Sequence, residues 1–264
     1  MRSGSPRSGF RRGSARTSTR AGHGSLTPGA TRPRRTSTTG AKLNFEQVAE
    51  LQPDLILGLY AGLDAGQYEA LSQIAPTVAQ SADHAEYTTP WTEMTRTAGR
   101  VLGKSTEAEQ LIDDIEESFA EVRAAHPEFA DDTSAVVDVN GGEFWLFASG
   151  DPRGTFVTSL GFQPDADADA FAADTFGASL SQERMDLLDV DRLVVLGDTA
   201  SLAALADNAL YQQLAVVKEG RVIEVPYAYD GPEAGLPSIG AAMSYNTVLS
   251  IPYAIEHFIQ LLPA

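Results

Sequence analysis

The sequence predicts an α/β protein of two similar Rossmann-like lobes bridged by one long helix, and three observations predict it. Strand and helix signals alternate from Leu43 to the C-terminus, a stretch of the first half recurs in the second, and one long amphipathic segment separates the two copies. With 264 residues, 43% of them hydrophobic, the chain can bury cores for two lobes of roughly 100 residues each.

Residues 1–42 stand apart. They hold ten Lys/Arg and no Asp/Glu, with Phe10 and Leu26 almost their only large apolar side chains, a composition that cannot build a core. An unstructured extension, a polyanion-binding arm, and GC-rich DNA read out of frame in place of a genuine N-terminal sequence all fit it. The rest of the chain carries nine bases against 36 acids, a charge near −27 within the overall −17. Such a body repels nucleic acid and anionic lipid, so no nucleic-acid partner is expected for it. The sequence as it stands shows neither an apolar run long enough for a membrane helix nor the apolar segment of a signal peptide. Zero cysteines exclude disulfides, thiolate metal sites, a cysteine nucleophile and a lipid-bearing cysteine.

The elements follow in order. Asn44 can cap a helix through Val48 and Leu51, Pro53-Asp54 marks a turn, and Leu55 to Gly58 reads as a short buried strand. Gln67 to Ile74 is a helix and Pro76 to Ala79 a strand. Helices follow over Pro90 to Leu102, stopped by Gly103, and Thr106 to Ala125, where Thr106 and Glu109 make a capping box. In the second of these, Ala108, Leu111, Ile112, Ile115, Phe119 and Val122 form an apolar stripe at helical spacing. Strand signals then recur at Ala135–Val139, Phe144–Phe147, Arg192–Leu196 and Arg221–Val225, alternating with helices, the last from Tyr253 to Leu262. The expected sheet is largely parallel. The division is a tail over 1–42, an N-terminal lobe over 43–104, the interlobe helix over 105–130 and a C-terminal lobe over 131–264.

The internal repeat sets Glu46-Gln-Val-Ala-Glu-Leu-Gln-Pro-Asp54-Leu-Ile-Leu-Gly58 beside Glu183-Arg-Met-Asp-Leu-Leu-Asp-Val-Asp191-Arg-Leu-Val-Val-Leu-Gly197. Glutamate and aspartate lie eight residues apart in both, and each copy runs on into a helix and a second strand. That period is too long for a solenoid and fits two lobes with a cleft between them.

The runs Leu43 to Gly58, Ile74-Ala-Pro-Thr-Val78, Gly150-Asp-Pro-Arg-Gly-Thr-Phe156 with Leu160-Gly-Phe162, and Leu249-Ser-Ile-Pro-Tyr-Ala254 resemble those of the iron-siderophore and cobalamin (Fe/B12-type, class III) periplasmic binding proteins of bacterial ABC importers. The similarity covers Leu43 to the C-terminus. It implies a monomeric extracytoplasmic receptor, without catalysis or intrinsic cofactor, that binds a ferric siderophore between its lobes and docks on an ABC transporter permease. Cobalamin or haem is the alternative ligand within the family. The resemblance also implies that the first lobe is incomplete here, since the family's lobe opens with further strands and helices after an export signal.

Large chelates call for aromatic faces and an arginine. Tyr60 directly follows the strand ending at Gly58, where α/β sheets place ligand-binding side chains. Arg153 sits in a turn-rich loop, and the resemblance implies a cleft position; a surface turn paired with Asp151 is the plainer reading. Trp145 and Phe147 share one face of a strand, with Phe144 and Leu146 on the other. Trp91, Tyr229 and Tyr245 complete the candidate ligand-binding set, each balanced by an ordinary packing or surface role. The resemblance further implies carboxylates that meet permease arginines, for which Asp64, Glu69 and Asp207 are positioned after the repeated strands.

Other chemistry finds less support. Ala98 to Ser105 mimics a phosphate-binding loop but lies between two helices instead of after a strand. Asp165, Asp167 and Asp169 begin like a calcium loop, yet Ala170 and Phe176 occupy its glycine and glutamate positions. No serine-nucleophile elbow or zinc-binding His-Glu-x-x-His is present, and His84, His126 and His257 have no sequence-local partners that suggest a ligand set. A metal-dependent hydrolase is the competing class, and an RNA-binding protein using the basic tail a third.

Overall fold

The computed structural model describes residues 43–84, 87–172, 175–227 and 238–262. Residues 1–42 and Tyr229, with every expectation attached to them, lie outside the described residues.

The first lobe begins with α1 (Phe45–Glu50), β1 (Ile56–Gly58), α2 (Ala65–Ser72) and β2 (Thr77–Ala79), and β1 and β2 pair in parallel. Asp64 starts α2 with a reciprocal capping box: its carboxylate accepts from the Gln67 amide at 2.8 Å, and the Gln67 side chain accepts from the Asp64 amide at 3.1 Å. Next come α3 (Trp91–Val101) and α4 (Ser105–Ala125). The expected Thr106–Glu109 box is not what opens α4. The helix starts one residue earlier, with Lys104 at the cap and no side-chain cap bond. Of the predicted stripe, Ala108, Ile112, Ile115 and Phe119 are buried and Val122 packs beside them, whereas Leu111 is 44% exposed. The buried stripe is thus the narrower i, i+4, i+7, i+11 row, because α4 presents one side to the core and Leu111 turns away from it.

The second lobe is a six-stranded sheet in the order β6-β4-β3-β7-β8, with β5 paired to the start of β3. The strands are β3 (Thr133–Asn140), β4 (Glu143–Phe147), β5 (Gln163–Pro164), β6 (Gly177–Leu180), β7 (Arg192–Gly197) and β8 (Val222–Pro226). β3, β7 and β8 are mutually parallel, as expected, but β4 runs antiparallel to both β3 and β6. The sheet is therefore mixed. The cause is local: Gly141 and Gly142 both have positive φ, +57° and +87°, which permits a two-residue hairpin, and a hairpin makes its strands antiparallel.

Both faces of this sheet are covered. On one, Val136, Phe147, Val194, Leu196, Ile223 and Val225 join a core completed by α4, by α5 (Pro152–Ser159), by α9 (Ile239–Tyr245) and by α10 (Ile251–Phe258). On the other, Ala135, Val137, Leu146, Leu193 and Val195 pack against α6 (Ala166–Ala172), the 3-10 turn at Gln182–Leu188, α7 (Thr199–Ala204) and α8 (Ala215–Lys218). The alternation along β3 and β4 divides these two cores, as the period of 2 requires. The last helix begins at Ile251, not Tyr253, because Pro252 fits the first helical turn.

The two copies of the repeat fold alike. Each contains a parallel strand pair, joined through α2 in the first copy and through α7, two 3-10 turns and α8 in the second, and the helix after the first strand is capped by an aspartate, Asp64 before α2 and Asp198 before α7. Helix α4 packs on α3 from the first lobe and on α10 from the second, so it grips both.

Candidate functional site

Four aromatic rings run from the first lobe to the second. Tyr60, two residues beyond β1, meets Tyr87 edge-on at 5.5 Å; Tyr87 meets Phe176 edge-on at 6.0 Å; Phe176 stacks on Trp145 at 5.7 Å. Contacts at these separations hold rings in defined orientations while leaving other edges and faces open. Trp145 sits on β4 directly opposite Asp138 of β3 and Ser179 of β6. Its buried indole N–H has no hydrogen-bond partner among the described residues. Gly177 makes room for that indole: a Cβ there would collide with Trp145 Nε1 and the Leu146 carbonyl. Gly177→Ala should therefore cost about 1–3 kcal/mol in urea denaturation and shift the tryptophan emission; unchanged values of both would contradict this packing.

The charged part lies beside the rings. Asp151 caps α5, accepting from the Arg153 amide at 2.9 Å, and Arg153 Nη1 donates to both carboxylate oxygens of Asp151 at 2.8 Å. The guanidinium lies 4.0 Å above the Phe147 ring, and its Nε donates to Ser244 Oγ at 3.0 Å. From the first lobe, the Tyr60 hydroxyl donates to the Ser244 carbonyl at 3.3 Å. On the far side, the Tyr227 hydroxyl donates to Asp138 Oδ2 at 2.9 Å. Ser244 of α9 is thus touched by Arg153 and Tyr60 together.

Burial governs proton affinity here. It disfavours the charged form of Arg153, but Asp151 and the neighbouring phenols outweigh it and hold the guanidinium above its ordinary value. Burial pushes Asp151 up against the pull of Arg153. Burial, then Asp151, raises Tyr60 well beyond an ordinary phenol. Tyr227 is pushed up to about 12, chiefly by burial and further by Asp138, with Arg153 opposing. Both phenols stay protonated at neutral pH.

Asp138 is also raised, by burial first and slightly by Asp198, although its bond from Tyr227 and the charge of Arg153 oppose the shift. The folded state therefore holds this proton more tightly than the unfolded chain. Stability attributable to Asp138 falls as pH rises through the unfolded carboxylate value to the higher folded one, then levels off. Asp138→Asn retains an acceptor for Tyr227 and cannot ionise. Its stability relative to the parent should climb across that acidic window and stay flat above it; a difference independent of pH would refute the assignment.

Against known proteins, residues 35–229 match the family model described as periplasmic binding protein. The chain belongs to the periplasmic binding protein family. Among curated members, it is 28% identical over 186 residues to the petrobactin-binding protein YclQ of Bacillus subtilis, covering 68% of this chain and 57% of that protein. It is 30% identical over 193 residues to the ferric-anguibactin-binding protein FatB of Vibrio anguillarum, covering 69% and 58%. The chain thus spans somewhat over half the length of these two relatives. Among solved structures, PiaA of Streptococcus pneumoniae TIGR4 in complex with ferrichrome superposes with a TM-score of 0.70 at 29% identity, over 83% of this chain and 72% of that one. The class III α/β fold of these periplasmic binding proteins is the fold of this chain.

Within this family fold, the structure brings Tyr60, Trp145, Phe147 and Arg153 together. Arg153 lies in the first turn of α5, not in a loop; it pairs with Asp151 as the plainer reading expected, but with its side chain only 17% exposed it is not a surface turn residue, and its Nε reaches Ser244 of α9. Phe147 is 7% exposed and serves as the platform beneath the guanidinium. Trp91 is elsewhere. It is 4% exposed and packs in the core with Ile112 and Ile115, because the start of α3 faces α4. Tyr245 is exposed at the end of α9 and adds to the electrostatic environment of Tyr60. Asp64, Glu69 and Asp207 are exposed at the surface.

Sequence reasoning missed Tyr87, Phe176, Tyr227, Asp138 and Ser244. Asp138 alone carried a signal, an acid interrupting the apolar run of β3. Asp165 bonds the amides of Asp167 and Ala168, while Asp169 accepts from the Ser149 amide at 2.7 Å, so these carboxylates serve separate backbone donors. Among the described residues no group of three or more His, Asp or Glu is placed to hold a metal ion, and no helix is long and apolar enough to cross a membrane. Two larger hollows, of about 600 Å³ beside Leu202, Tyr211 and Glu224 and about 380 Å³ between α4 and α10, do not touch the aromatic set.

Proposed function

We propose that this chain binds a ferric siderophore between its two lobes and delivers it, outside the cytoplasm, to an ABC permease. The observation that carries the proposal is the aromatic run Tyr60–Tyr87–Phe176–Trp145 beside Arg153, drawn from both lobes. Rings and a fixed guanidinium suit a bulky chelate whose iron is already wrapped: the rings cover its apolar surface, and Arg153 donates to a metal-bound oxygen. Tyr60 and Tyr227, held protonated and with their hydroxyl protons given to Ser244 and Asp138, do not compete for the iron as phenolates, so that the siderophore retains the metal. The ligands for which the relatives are named, petrobactin and anguibactin, and the ferrichrome bound to PiaA support the same class.

Titration of tryptophan fluorescence with a panel of ferric siderophores tests this. Trp145 should give saturable quenching; silence across the panel would remove the proposal. For docking, Glu69 and Asp207 offer exposed carboxylates, and Asp198 joins Asp64 as its structural counterpart. Glu69→Lys and Asp207→Lys should reduce uptake through a reconstituted importer and leave the ligand Kd unchanged. A changed Kd with normal uptake would point away from docking.

A further inference from the structure

We propose that the cleft selects ferric chelates without net negative charge, and that Asp138 is the residue imposing this selection. The inference rests on the ferric-siderophore reading above and names the ligand class within it.

The charge inventory leads there. From Leu43 onward the chain has nine Lys/Arg, and all nine lie among the described residues. Four are on α3, α4 or the turn between them, two are on the short helices at Gln182–Leu188 and Ala215–Lys218, and Arg192 and Arg221 stand at the starts of β7 and β8. Those starts are the opposite end of the sheet from Asp138 and Tyr227, which lie at or just beyond strand C-terminal ends. Arg153 is therefore the single Lys/Arg of this body placed with the aromatic set.

Its charge is already matched. Asp151 binds the guanidinium through both oxygens from a position with 1% side-chain exposure. Asp138 adds a second carboxylate, across the strand pair from Trp145 and close enough to Arg153 to feel its charge. One cation faces two carboxylates, leaving a local charge of minus one when both are ionised. The surrounding body, near −27 from Leu43 onward, reinforces that sign at longer range.

Ferric chelates differ sharply in charge. Three catecholates each surrender two protons, so their iron(III) complex is a trianion. Three hydroxamates each surrender one, so theirs is neutral, and a pendant ammonium makes it cationic. A trianion against this site meets one engaged arginine and an opposing carboxylate, whereas a neutral chelate can take the remaining Arg153 donors and the aromatic faces without repulsion. Each unit of like charge at such short range is worth on the order of a tenfold change in affinity.

The test uses the full chain and tryptophan quenching with three probes: ferrichrome, neutral; ferrioxamine B, cationic; and ferric enterobactin, trianionic. Ferrichrome and ferrioxamine B should bind at least about tenfold more tightly than ferric enterobactin, and Asp138→Asn should shrink that ratio by about tenfold. Ferric enterobactin binding as tightly as ferrichrome overturns the inference. So does an unchanged ratio in a folded Asp138→Asn protein, while the siderophore reading survives either result. Quenching by none of the three takes down that reading and this inference with it.

Discussion

Replacing Arg153 by alanine is expected to abolish ferric-chelate binding and to lower the free energy of unfolding by about 3–5 kcal/mol. The two effects have separate causes. Binding is lost because the guanidinium over Phe147, bonded to Ser244, is the site's charged donor. Stability is lost because Asp151, 1% exposed, would be left buried without its partner, and must then either carry an unpaired charge or take up a proton. A double variant, Arg153→Met with Asp151→Asn, separates them: asparagine still caps α5 and no charge is left unpaired, so much of the stability should return. Binding should not. Urea denaturation and fluorescence titration of the parent, the single and the double variant measure both. Recovery of binding in the double variant would show that Arg153 acts on the fold alone.

Phe156→Ala should cost about 3–5 kcal/mol of stability while leaving ligand affinity nearly unchanged in the protein that remains folded. Phe156 has no solvent exposure and meets Phe119 of α4 edge-on at 5.9 Å and Phe258 of α10 edge-on at 5.6 Å. Truncation would open a hole where the bridging helix, α5 and the last helix converge, and three helices cannot all collapse into it. The check is the urea midpoint together with the chelate Kd below the transition. A loss under about 1 kcal/mol would mean that this junction is loosely packed. Because α5 also carries Arg153, a markedly weakened Kd would instead show that the junction positions the guanidinium.

The contrast between these substitutions bears on how the proposed site would hold a ligand. Arg153 does its positioning from the first turn of a helix whose opposite side, Phe156 and Val157, is locked in the core. The donor is thus preorganised, and less of the binding free energy is spent on ordering it. The phenols reach the same place from different elements: Tyr60 from beyond β1, Tyr227 from the end of β8. A ligand seated there would be held by groups from both lobes.

Much of the architecture was legible along the chain because it is written in local periodicity. Apolar runs marked β1, β3, β7 and β8, helical spacing marked α4, and the Glu46–Gly58 and Glu183–Gly197 repeat marked the doubled parallel unit. Arg153 and Tyr60 stood out for similar reasons, one as a rare base and the other as the side chain beyond a strand end. The antiparallel course of β4 was also encoded, in Gly141-Gly142, but a glycine pair reports a turn without telling which strand pairs beyond it.

The sequence by itself thus determined the alternation of elements, the two-lobe plan and the face of β4 on which Trp145 and Phe147 stand. Only the tertiary structure decided which distant side chains meet. Asp138 faces Trp145 through strand register, Tyr87 reaches Phe176 across the lobes, and Tyr227 closes on Asp138 from 89 positions away. It also sent Trp91 into the core. The physical reason is common to all of them. Periodicity specifies which way a side chain points within its own element, whereas a site is made where elements pack, and that depends on the summed burial of residues far apart in the chain.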